Sequence, residues 1–303
     1  MRVLIAEDDP VSRRLAEVTL RSWKYETVSV ADGIQALEVL RQDDAPRLAL
    51  LDWSMPGKDG TEVCRELRAI TKAHYTYIIL LTARSTKADI AEGLEAGADD
   101  YVIKPFEAIV LKARLLAGTR IIELQDQLLE AQEKLRHQAT HDGLTGVWNR
   151  AAILEKLEIE IQRAKRYRTP LTVMMADLDR FKNINDSFGH QVGDIVLRSV
   201  AQTMNQTVRV YDAVGRYGGE EFLIVAAGSD ASMGKVLAER LHSQVGTVGG
   251  NDVDPPIHVT CSFGVVTCED GSMDSESLIR AADDALYRAK FLGRDRVEIA
   301  KRP

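Results

Sequence analysis

The stretch "GRYGGEEFLIVAA", residues 215–227, places two adjacent glutamates at a glycine turn that leads into an apolar segment. The glycines favour a tight hairpin turn, and "FLIVAA" is typical of a buried strand. A turn needs only its glycines, whereas Glu220 and Glu221 crowd like charge. Such crowding is tolerated where a cation lies between or beside the carboxylates. An exposed hairpin with solvated glutamates is the alternative, so other parts of the chain must decide.

The segments around this stretch predict a mixed α+β sheet over residues 141–303. Its strand candidates are "PLTVMMADLD", "EEFLIVAA", "IHVTCSFGVV" and "RVEIA", and segments with helical spacing alternate with them. Asp177 ends the strand "TVMMA", as an acid that faces a site would. If that strand neighbours the one after the glycine turn, Asp177, Glu220 and Glu221 meet. They would then hold two divalent cations, an arrangement suited to in-line attack on a phosphate.

Two further segments argue against the solvated hairpin. The stretch "DLDRFKNINDSFGHQVGD" carries Lys182, Asn185 and Asp194 within a short span. Asparagine and aspartate together can bind a guanine edge, because the carboxylate accepts from N1–H and the amino group. In "DDALYRAKFLGRD", Lys290 and Arg294 are four residues apart, which predicts one helical face that clamps phosphates. A solvated basic face is the alternative for this pair.

Residues 1–118 predict a different fold. Five apolar runs, "RVLIA", "ETVSV", "LALLD", "YIILLTA" and "DYVIK", are interleaved with segments of helical spacing. This alternation predicts a doubly wound α/β domain with a five-stranded parallel sheet. Functional groups in such domains collect at the carboxyl ends of the strands.

Chemically reactive side chains stand at four of these strand ends. Glu7 and Asp8 follow the first strand, Asp52 the third, Thr82 the fourth and Lys104 the fifth. Each acid alone would more simply be a helix cap or a turn residue, but together they form an acidic cluster with one lysine. Carboxylates at this density suit Mg²⁺, and an aspartate beside the metal can attack phosphorus. The proline after Lys104 is expected to fix the chain there through a cis bond.

A helical segment joins the two halves over residues 119–140. Apolar residues recur there at spacings of three and four, which is a heptad seam. The seam residues are Ile121, Leu124, Leu128, Ala131 and Leu135. One amphipathic helix lying on its own domain is the alternative, and we favour a helix-to-helix dimer seam.

Composition narrows the class of protein. The chain has 303 residues, enough for two domains, and its net charge of −7 disfavours a DNA-binding protein. The three cysteines, Cys64, Cys261 and Cys268, contain no CxxC pair, which predicts buried reduced thiols. The N-terminal apolar run is too short for a signal peptide, and no run approaches the length of a membrane span. We therefore expect a cytoplasmic protein with no membrane contact.

The first half resembles the receiver domains of response regulators. The segments "AEDDP", "LLDWSMPGKDG", "LTA" and "DDYVIKPF" occur in the order of that family and cover about residues 1–118. The resemblance implies that Asp52 is the phosphoacceptor and that Lys104 contacts the phosphoryl group. It also implies a metal site and a switch pair. The metal would be held by Glu7, Asp8, Asp52 and the Ser54 carbonyl, and the switch pair would be Thr82 and Tyr101. Many family members have Asp where this chain has Glu7.

The second half resembles the GGDEF family of diguanylate cyclases over about residues 141–303. The matching segments are "DGLTGVWNR", "DLDRFKNINDSFGHQVGD", "RYGGEEF", "SFGV" and "ADDALYRAKFLGRD". The family joins two GTP into cyclic di-GMP with release of two pyrophosphates, using Mg²⁺ or Mn²⁺. Because each domain holds one GTP, the resemblance implies a homodimer.

The GGDEF resemblance also assigns roles to residues. Metal ligands would be Asp177, the Leu178 backbone and Glu220, with Glu221 assisting in catalysis. Triphosphate contacts would be Lys182, Lys290 and Arg294, guanine contacts Asn185 and Asp194, and close backbone approach would occur at Gly218 and Gly219.

The segment "RVYD", residues 209–212, resembles the RxxD inhibitory site of the same family. Arg209 and Asp212 would then bind the product, cyclic di-GMP, and Arg240 would complete the site from another element. Arginine suits this role because it can bind guanine or phosphate bidentately. A surface ion pair is the alternative.

These features together predict a phosphorylation-regulated diguanylate cyclase. A cognate histidine kinase would phosphorylate Asp52, and the receiver and linker helix would change how two chains pair. One rival is a cyclase fold without activity that senses cyclic di-GMP through Arg209 and Asp212. A second rival is a phosphorelay receiver whose C-terminal half only docks partners.

Overall fold

A computed structural model of the chain describes residues 1–70, 74–83, 86–246, 257–270 and 272–300. The chain divides into two compact units, Met1–Glu133 and Lys134–Pro303. Each unit has the class of fold that its sequence predicts. In the described ranges, no helix has both the length and the apolar character that crossing a membrane requires.

The first unit is a doubly wound parallel sheet of five strands in the order β2-β1-β3-β4-β5. The strands are β1 (Arg2–Ala6), β2 (Glu26–Val30), β3 (Leu48–Asp52), β4 (Tyr77–Thr82) and β5 (Asp100–Ile103). The helices between them are α1 (Pro10–Ser22), α2 (Gly33–Arg41), α3 (Gly60–Arg68) and α4 (Lys87–Glu95). Every residue of β3 and β4 is buried, as expected for strands covered on both faces. The strand order reverses between β1 and β3, where such folds bind ligands.

Short polar side chains begin the helices of this unit. Asp9 accepts a hydrogen bond from the Ser12 amide at the start of α1, and Asp32 accepts one from the Gln35 amide at the start of α2. At α3, Asp59 and Glu62 form a reciprocal capping box. Asp9 therefore serves as a helix cap, whereas Glu7 and Asp8 before it belong to the acidic cluster at the strand ends.

One continuous helix, α5 (Ala108–Thr140), contains both the last helix of the first unit and the predicted linker. Its first turns pack on the sheet through buried Leu111, Leu115 and Ile122. Gly118 permits this contact, because a Cβ there would lie 2.4 Å from the Tyr77 ring. The predicted seam residues Ile121, Leu124, Leu128, Ala131 and Leu135 are all exposed.

The second unit is a mixed sheet in the order β10-β9-β6-β8-β7. Its strands are β6 (Leu171–Leu178), β7 (Ala213–Gly218), β8 (Glu221–Ala227), β9 (Cys261–Cys268) and β10 (Val297–Ile299). Its helices are α6 (Arg150–Tyr167), α7 (Phe181–Phe188), α8 (His190–Thr207), α9 (Ala231–Val245) and α10 (Ser275–Phe291). Helix α7 and strand β7 were not predicted, because their residues are dominated by the polar and glycine-rich motifs.

Strand β6 is the centre of this unit. It pairs antiparallel with both β8 and β9, and all eight of its residues are buried. Met174 and Ala176 belong to one core, while Val173 and Met175 belong to the core on the opposite face. The uninterrupted apolar run therefore reflects burial on both faces, and it carries Asp177 to the edge of two cores. All three cysteines are buried free thiols, as predicted.

Candidate active sites in the two units

The first candidate site lies at the carboxyl ends of the receiver-like sheet. One carboxylate oxygen from each of Glu7, Asp8 and Asp52 lies within 4.8 Å of the other two. Lys104 Nζ is 2.6 Å from Glu7 Oε2 and 3.0 Å from Asp52 Oδ1. The structure thus brings together the side chains whose strand-end positions predicted a cluster.

The electrostatics of this cluster favour a cation. Burial raises the pKa of Glu7, and the Asp52 charge adds to that effect, while the hydrogen bond from Lys104 opposes it. Burial opposes the charged form of Lys104, but its hydrogen bonds to Glu7 and Asp52 raise its pKa overall. Lys104 thus pairs with two of the three clustered carboxyl groups, and the oxygen atoms of all three fit a hard divalent ion such as Mg²⁺.

The remaining residues predicted for the receiver lie on β4, on β5 and after β3. Thr82 is the last residue of β4 and is 2% exposed. Tyr101 is half-buried on the neighbouring β5, and Ser54 is exposed two residues after Asp52. The peptide bond between Lys104 and Pro105 is cis, as the sequence predicted.

The second candidate site lies where β6 meets the β7–β8 turn. Asp177 stands opposite Glu221 in the antiparallel register, and the Leu178 amide donates to the Glu220 carbonyl at 3.3 Å. The strands that carry the two groups of acids are therefore neighbours, which is the condition that the sequence argument set. Gly219 in the turn has φ +49°, and no atom within 4 Å would meet a Cβ there, so the turn presents open backbone.

Charge balance at the second site centres on Asp177. Burial raises its pKa and the charges of Glu220 and Glu221 add to this, whereas Lys290, with Nζ 2.8 Å from Asp177 Oδ2, opposes it. Carboxylate oxygens with a nearby backbone carbonyl fit Mg²⁺ or Mn²⁺. In the described ranges, these three carboxylates do not share one 4.8 Å cluster as the receiver acids do.

The prediction that Lys290 and Arg294 share a helical face is wrong. Helix α10 ends at Phe291, and Gly293 follows with φ +117°, a conformation that stops the helix. Arg294 lies in the next loop with φ +64°, and its amide donates to the Ala289 carbonyl at 2.9 Å. The two basic residues therefore belong to different elements.

A cavity of about 440 Å³ lies beside the start of α7 and is lined by Arg180 and Arg294 among others. Helix α7 begins without a side-chain cap, because Arg180 occupies the N-cap position with φ +54°. Uncapped helix N-termini bind anions through their backbone amides. The cavity thus combines two arginines with a helix terminus that suits phosphate.

Asn185 and Asp194 lie at the crossing of α7 and α8, where both are half-buried. Gly193 makes this crossing possible, because a Cβ there would lie 1.9 Å from Asn185 Oδ1. The exposed Lys182 lies one turn before Asn185 on α7. The structure therefore brings the two predicted guanine contacts to one helix pair.

Arg216 holds the glutamate turn in place, a role that was not predicted from the sequence. Arg216 Nε donates to the Gly219 carbonyl at 2.8 Å, and its Nη1 lies 3.2 Å from Asp142 Oδ1. Asp142 also accepts from the Thr145 amide at 2.9 Å. The signal was present in the arginine of "GRYGGEEF" and the aspartate of "DGLTG", but their distance in sequence concealed the contact.

The residues predicted for product inhibition line one cavity of about 170 Å³. The Arg209 amide donates to Asp212 Oδ2 at 3.0 Å, and Arg240 Nη2 donates to the Thr207 carbonyl at 2.7 Å. Among the described residues, Asp212 Oδ1 is buried without a hydrogen-bond partner. Burial raises the pKa of Asp212, while its hydrogen bond with the Arg209 amide opposes that shift.

Family models agree with both halves of this description. Residues 139–296, just over half of the chain, match "Diguanylate cyclase, GGDEF domain". The chain belongs to the GGDEF family of diguanylate cyclases. Residues 3–116 match "Response regulator receiver domain", so this GGDEF protein is a response regulator with a receiver domain before the cyclase domain.

Curated relatives align either with the GGDEF half or with the whole chain. Diguanylate cyclase DgcP from Pseudomonas aeruginosa is 40% identical over 168 residues, which are 55% of this chain and 25% of DgcP. Diguanylate cyclase DosC from Escherichia coli is 42% identical over 60% of this chain and 39% of its own length. Response regulator PleD from Caulobacter vibrioides is 24% identical and aligns over 98% of both chains.

Solved structures match the α5–GGDEF part of the fold. The coiled coil and GGDEF domain of DgcB from Caulobacter crescentus, in complex with c-di-GMP, has a TM-score of 0.56 and 32% identity. It covers 63% of this chain and 99% of that one. Diguanylate cyclase SiaD from Pseudomonas aeruginosa, in complex with its activator SiaC, has a TM-score of 0.53 and 33% identity over 63% of this chain and 73% of that one.

Proposed function

We propose that this chain condenses two GTP into cyclic di-GMP and two pyrophosphates. The 3′-hydroxyl of each GTP attacks the α-phosphate of the other. One observation carries the proposal: Asp177 and the Glu220–Glu221 turn lie on adjacent strands, beside the ammonium of Lys290. That arrangement concentrates negative charge at an open glycine turn, where a divalent cation and a triphosphate both fit.

Asp177, the Leu178 carbonyl and Glu220 are the proposed ligands for two Mg²⁺ or Mn²⁺ ions. When bound, these ions stabilise charge that develops on the phosphate and lower the pKa of the attacking hydroxyl. Lys290 holds Asp177 in place at 2.8 Å before the ions bind. Glu221 assists at the same edge of β8 by accepting the hydroxyl proton.

The proposed contacts to GTP come from α7, α8, α10, the loop after α10 and the β7–β8 turn. The triphosphate contacts are Lys182, Lys290 and Arg294, together with the uncapped start of α7. Asn185 and Asp194 bind the guanine at the α7–α8 crossing. Gly218 and Gly219 let the backbone of the turn approach the nucleotide.

Each cyclase domain holds one GTP, so synthesis requires a homodimer. We propose a receiver over residues 1–118, a linker over 119–140 and a cyclase domain over 141–303. The exposed heptad seam of α5 pairs with the same seam of a second chain, since exposed apolar residues at this spacing favour a coiled coil.

The receiver supplies control. We propose that a cognate histidine kinase phosphorylates Asp52 and that Glu7, Asp8, Asp52 and the Ser54 carbonyl hold Mg²⁺ beside it. Lys104, already 3.0 Å from Asp52, then pairs with the phosphoryl group. Thr82 and Tyr101 follow that charge and change how two receivers pair. The substrate GTP and the kinase place this chemistry in the cytoplasm.

Product inhibition is the second proposed control. Arg209, Asp212 and Arg240 line one cavity, where two guanidinium groups can bind guanine or phosphate of cyclic di-GMP. The half-buried carboxylate of Asp212 lines the same cavity and can accept from N–H donors such as those of guanine.

GTP turnover with Mg²⁺ tests the proposal, with and without beryllofluoride as a mimic of phosphorylated Asp52. Faster formation of cyclic di-GMP with the mimic is expected, and light scattering distinguishes assembly from rearrangement. Equal rates in both states contradict phosphorylation control. No product in either state, from folded protein, favours the sensor.

The variant Glu220→Ala separates the enzyme from its rivals. We expect it to make no product, because a metal ligand is lost, while cyclic di-GMP still binds in the cavity of Arg209. Binding is measured by equilibrium dialysis with labelled cyclic di-GMP. Retained turnover in Glu220→Ala excludes the proposed metal site.

A further inference from the structure

Asp179 follows the strand that carries Asp177, yet its environment is different. Its Oδ1 accepts from Ser262 Oγ at 2.7 Å, and its Oδ2 accepts from Thr260 Oγ1 at 2.9 Å and from the Asp295 amide at 3.0 Å. The side chain is buried, at 8% exposure. These three donors occupy most of the acceptor capacity of the carboxylate, so Asp179 is not free to bind a metal as Asp177 is.

The third donor belongs to a loop with unusual backbone geometry. Gly293, Arg294 and Asp295 have φ values of +117°, +64° and +47°, so two non-glycine residues in succession are left-handed. Such conformations are strained and persist only where surrounding contacts hold them. Asp179 supplies one such contact, and His242 Nε2, 2.8 Å from Asp295 Oδ1, supplies another.

We propose that Asp179 is a positioning residue that holds Arg294 in place for the triphosphate of GTP. The inference rests on the proposed function, in which Arg294 contacts that triphosphate. The hydrogen bond from the Asp295 amide fixes the residue next to Arg294, and the Thr260 and Ser262 hydroxyls fix Asp179. Asp177 and Asp179 thus divide two tasks: one faces the reacting phosphates, and the other fixes a loop that binds them.

The carboxylate is required because it accepts at both oxygens. In Asp179→Asn one oxygen becomes an NH₂ donor. On the Oδ1 side the Ser262 hydroxyl can turn and accept from that NH₂ group, whereas on the Oδ2 side the Asp295 amide can only donate and would lose its bond. The Asn variant therefore keeps the bond to the loop in one orientation, and its effect should be smaller than that of Asp179→Ala.

A double-mutant cycle on the full chain tests the proposal with GTP and Mg²⁺. We expect Asp179→Ala and Arg294→Ala each to raise KM for GTP about tenfold, with kcat changed less than about threefold, because uniform binding is lost. The double variant should match Arg294→Ala alone, since Asp179 acts through Arg294. Additive effects, about a hundredfold in KM, would overturn the proposal.

Thr172→Val is the matched control for general damage to the sheet. Thr172 lies at the other end of β6, is fully buried, and bonds the Ser229 carbonyl at 2.8 Å and Thr267 Oγ1 at 2.7 Å. We expect this variant to lower Tm without raising KM for GTP. Amide exchange at Asp295 should accelerate in Asp179→Ala and not in Thr172→Val. An equal rise in KM for both variants would show that Asp179 has only a structural role.

Two alternative experiments cover a variant that does not fold and a wild type that makes no product. If Asp179→Ala does not fold, Asp179→Asn takes its place in the cycle, with an expected rise in KM of about threefold that is absent in the Arg294→Ala background. If the wild type makes no cyclic di-GMP, the proposed function fails, and equilibrium dialysis with Mg²⁺–GTP tests the same non-additivity in Kd. Wild-type protein that neither turns over nor binds GTP overturns both proposals.

Discussion

Asp9 accepts from the Ser12 amide and begins α1, whereas Glu7, two residues earlier, is buried beside Lys104. Asp177 and Asp179 show the same division at the end of β6. Residues two apart share a face within a regular strand, but in both places the chain leaves the strand, so the two side chains turn to different surroundings. Acidic residues close together in sequence can therefore have separate roles. The hydrogen-bond donors around each carboxylate decide which role it has.

The first prediction concerns the side chain of Arg216. Arg216→Met removes the bond to the Gly219 carbonyl and the contact with Asp142. Because the turn that carries Glu220 loses its brace, we expect kcat for cyclic di-GMP to fall by about 10–100-fold. Arg163→Met is the control, since Arg163 is mostly exposed and pairs with Glu160 one turn away. A normal kcat in Arg216→Met would show that the turn is rigid without it.

The residues that sequence predicted best are those at strand ends. The Asp52 cluster follows from the rule that the carboxyl ends of parallel strands share an edge, and the meeting of Asp177 with Glu221 needed the further condition that β6 and β8 are neighbours. Asp179 and Arg216 were missed because their partners come from loops more than seventy residues away. Arg294 was misplaced because a spacing of four predicts a shared face only while the helix continues, and Gly293 ends it.

At the scale of elements, the α7–α8 crossing depends on Gly193. Replacing glycine by alanine inside a helix normally stabilises it, but here the new Cβ would lie 1.9 Å from Asn185 Oδ1. We expect Gly193→Ala to lower the free energy of unfolding by about 1–3 kcal/mol and to raise KM for GTP, as Asn185 moves.

Gly143→Ala is the matched control for this crossing, because no atom within 4 Å would meet its Cβ. Chemical denaturation and GTP titration of both variants measure the two effects. Wild-type stability in Gly193→Ala would mean that the helices separate at little cost, and the proposed guanine contact would lose its support.

The α5 helix carries the second test at this scale. Leu124 is 54% exposed in this chain, so Leu124→Lys should leave Tm nearly unchanged. A charge inside a paired seam destabilises the pairing, so the mass by light scattering should fall to that of a monomer, and cyclic di-GMP synthesis should fall with it. Glu123→Lys places the same side chain next to the seam and should retain both properties. A dimeric, active Leu124→Lys protein would assign dimer formation to another surface.

Across the whole molecule, the sequence predicts two domains and a helix between them because composition and periodicity change at each boundary. It does not predict that α5 runs without interruption from Ala108 to Thr140. Gly118 would ordinarily weaken a helix, and the Tyr77 ring and Leu48 side chain beside it explain why glycine is needed there. If receiver pairing changes as proposed, the continuous α5 offers a route without a loop from the first unit to Lys134, where the second unit begins.

The two proposed controls lie in different units of the molecule and should act independently. Arg209→Ala removes a guanidinium from the cavity of Asp212, so the concentration of cyclic di-GMP that halves the rate should rise at least about tenfold. The ratio of rates with and without beryllofluoride should stay at its wild-type value, because Asp52 and Lys104 are unchanged.

Asp52→Asn should do the reverse, abolishing the response to beryllofluoride while leaving inhibition by product intact. Assays of both variants and their combination measure the coupling, and additive effects are expected for sites that share no residue. If Arg209→Ala also abolished the response to beryllofluoride, the product cavity would be part of the receiver's route to the cyclase domain.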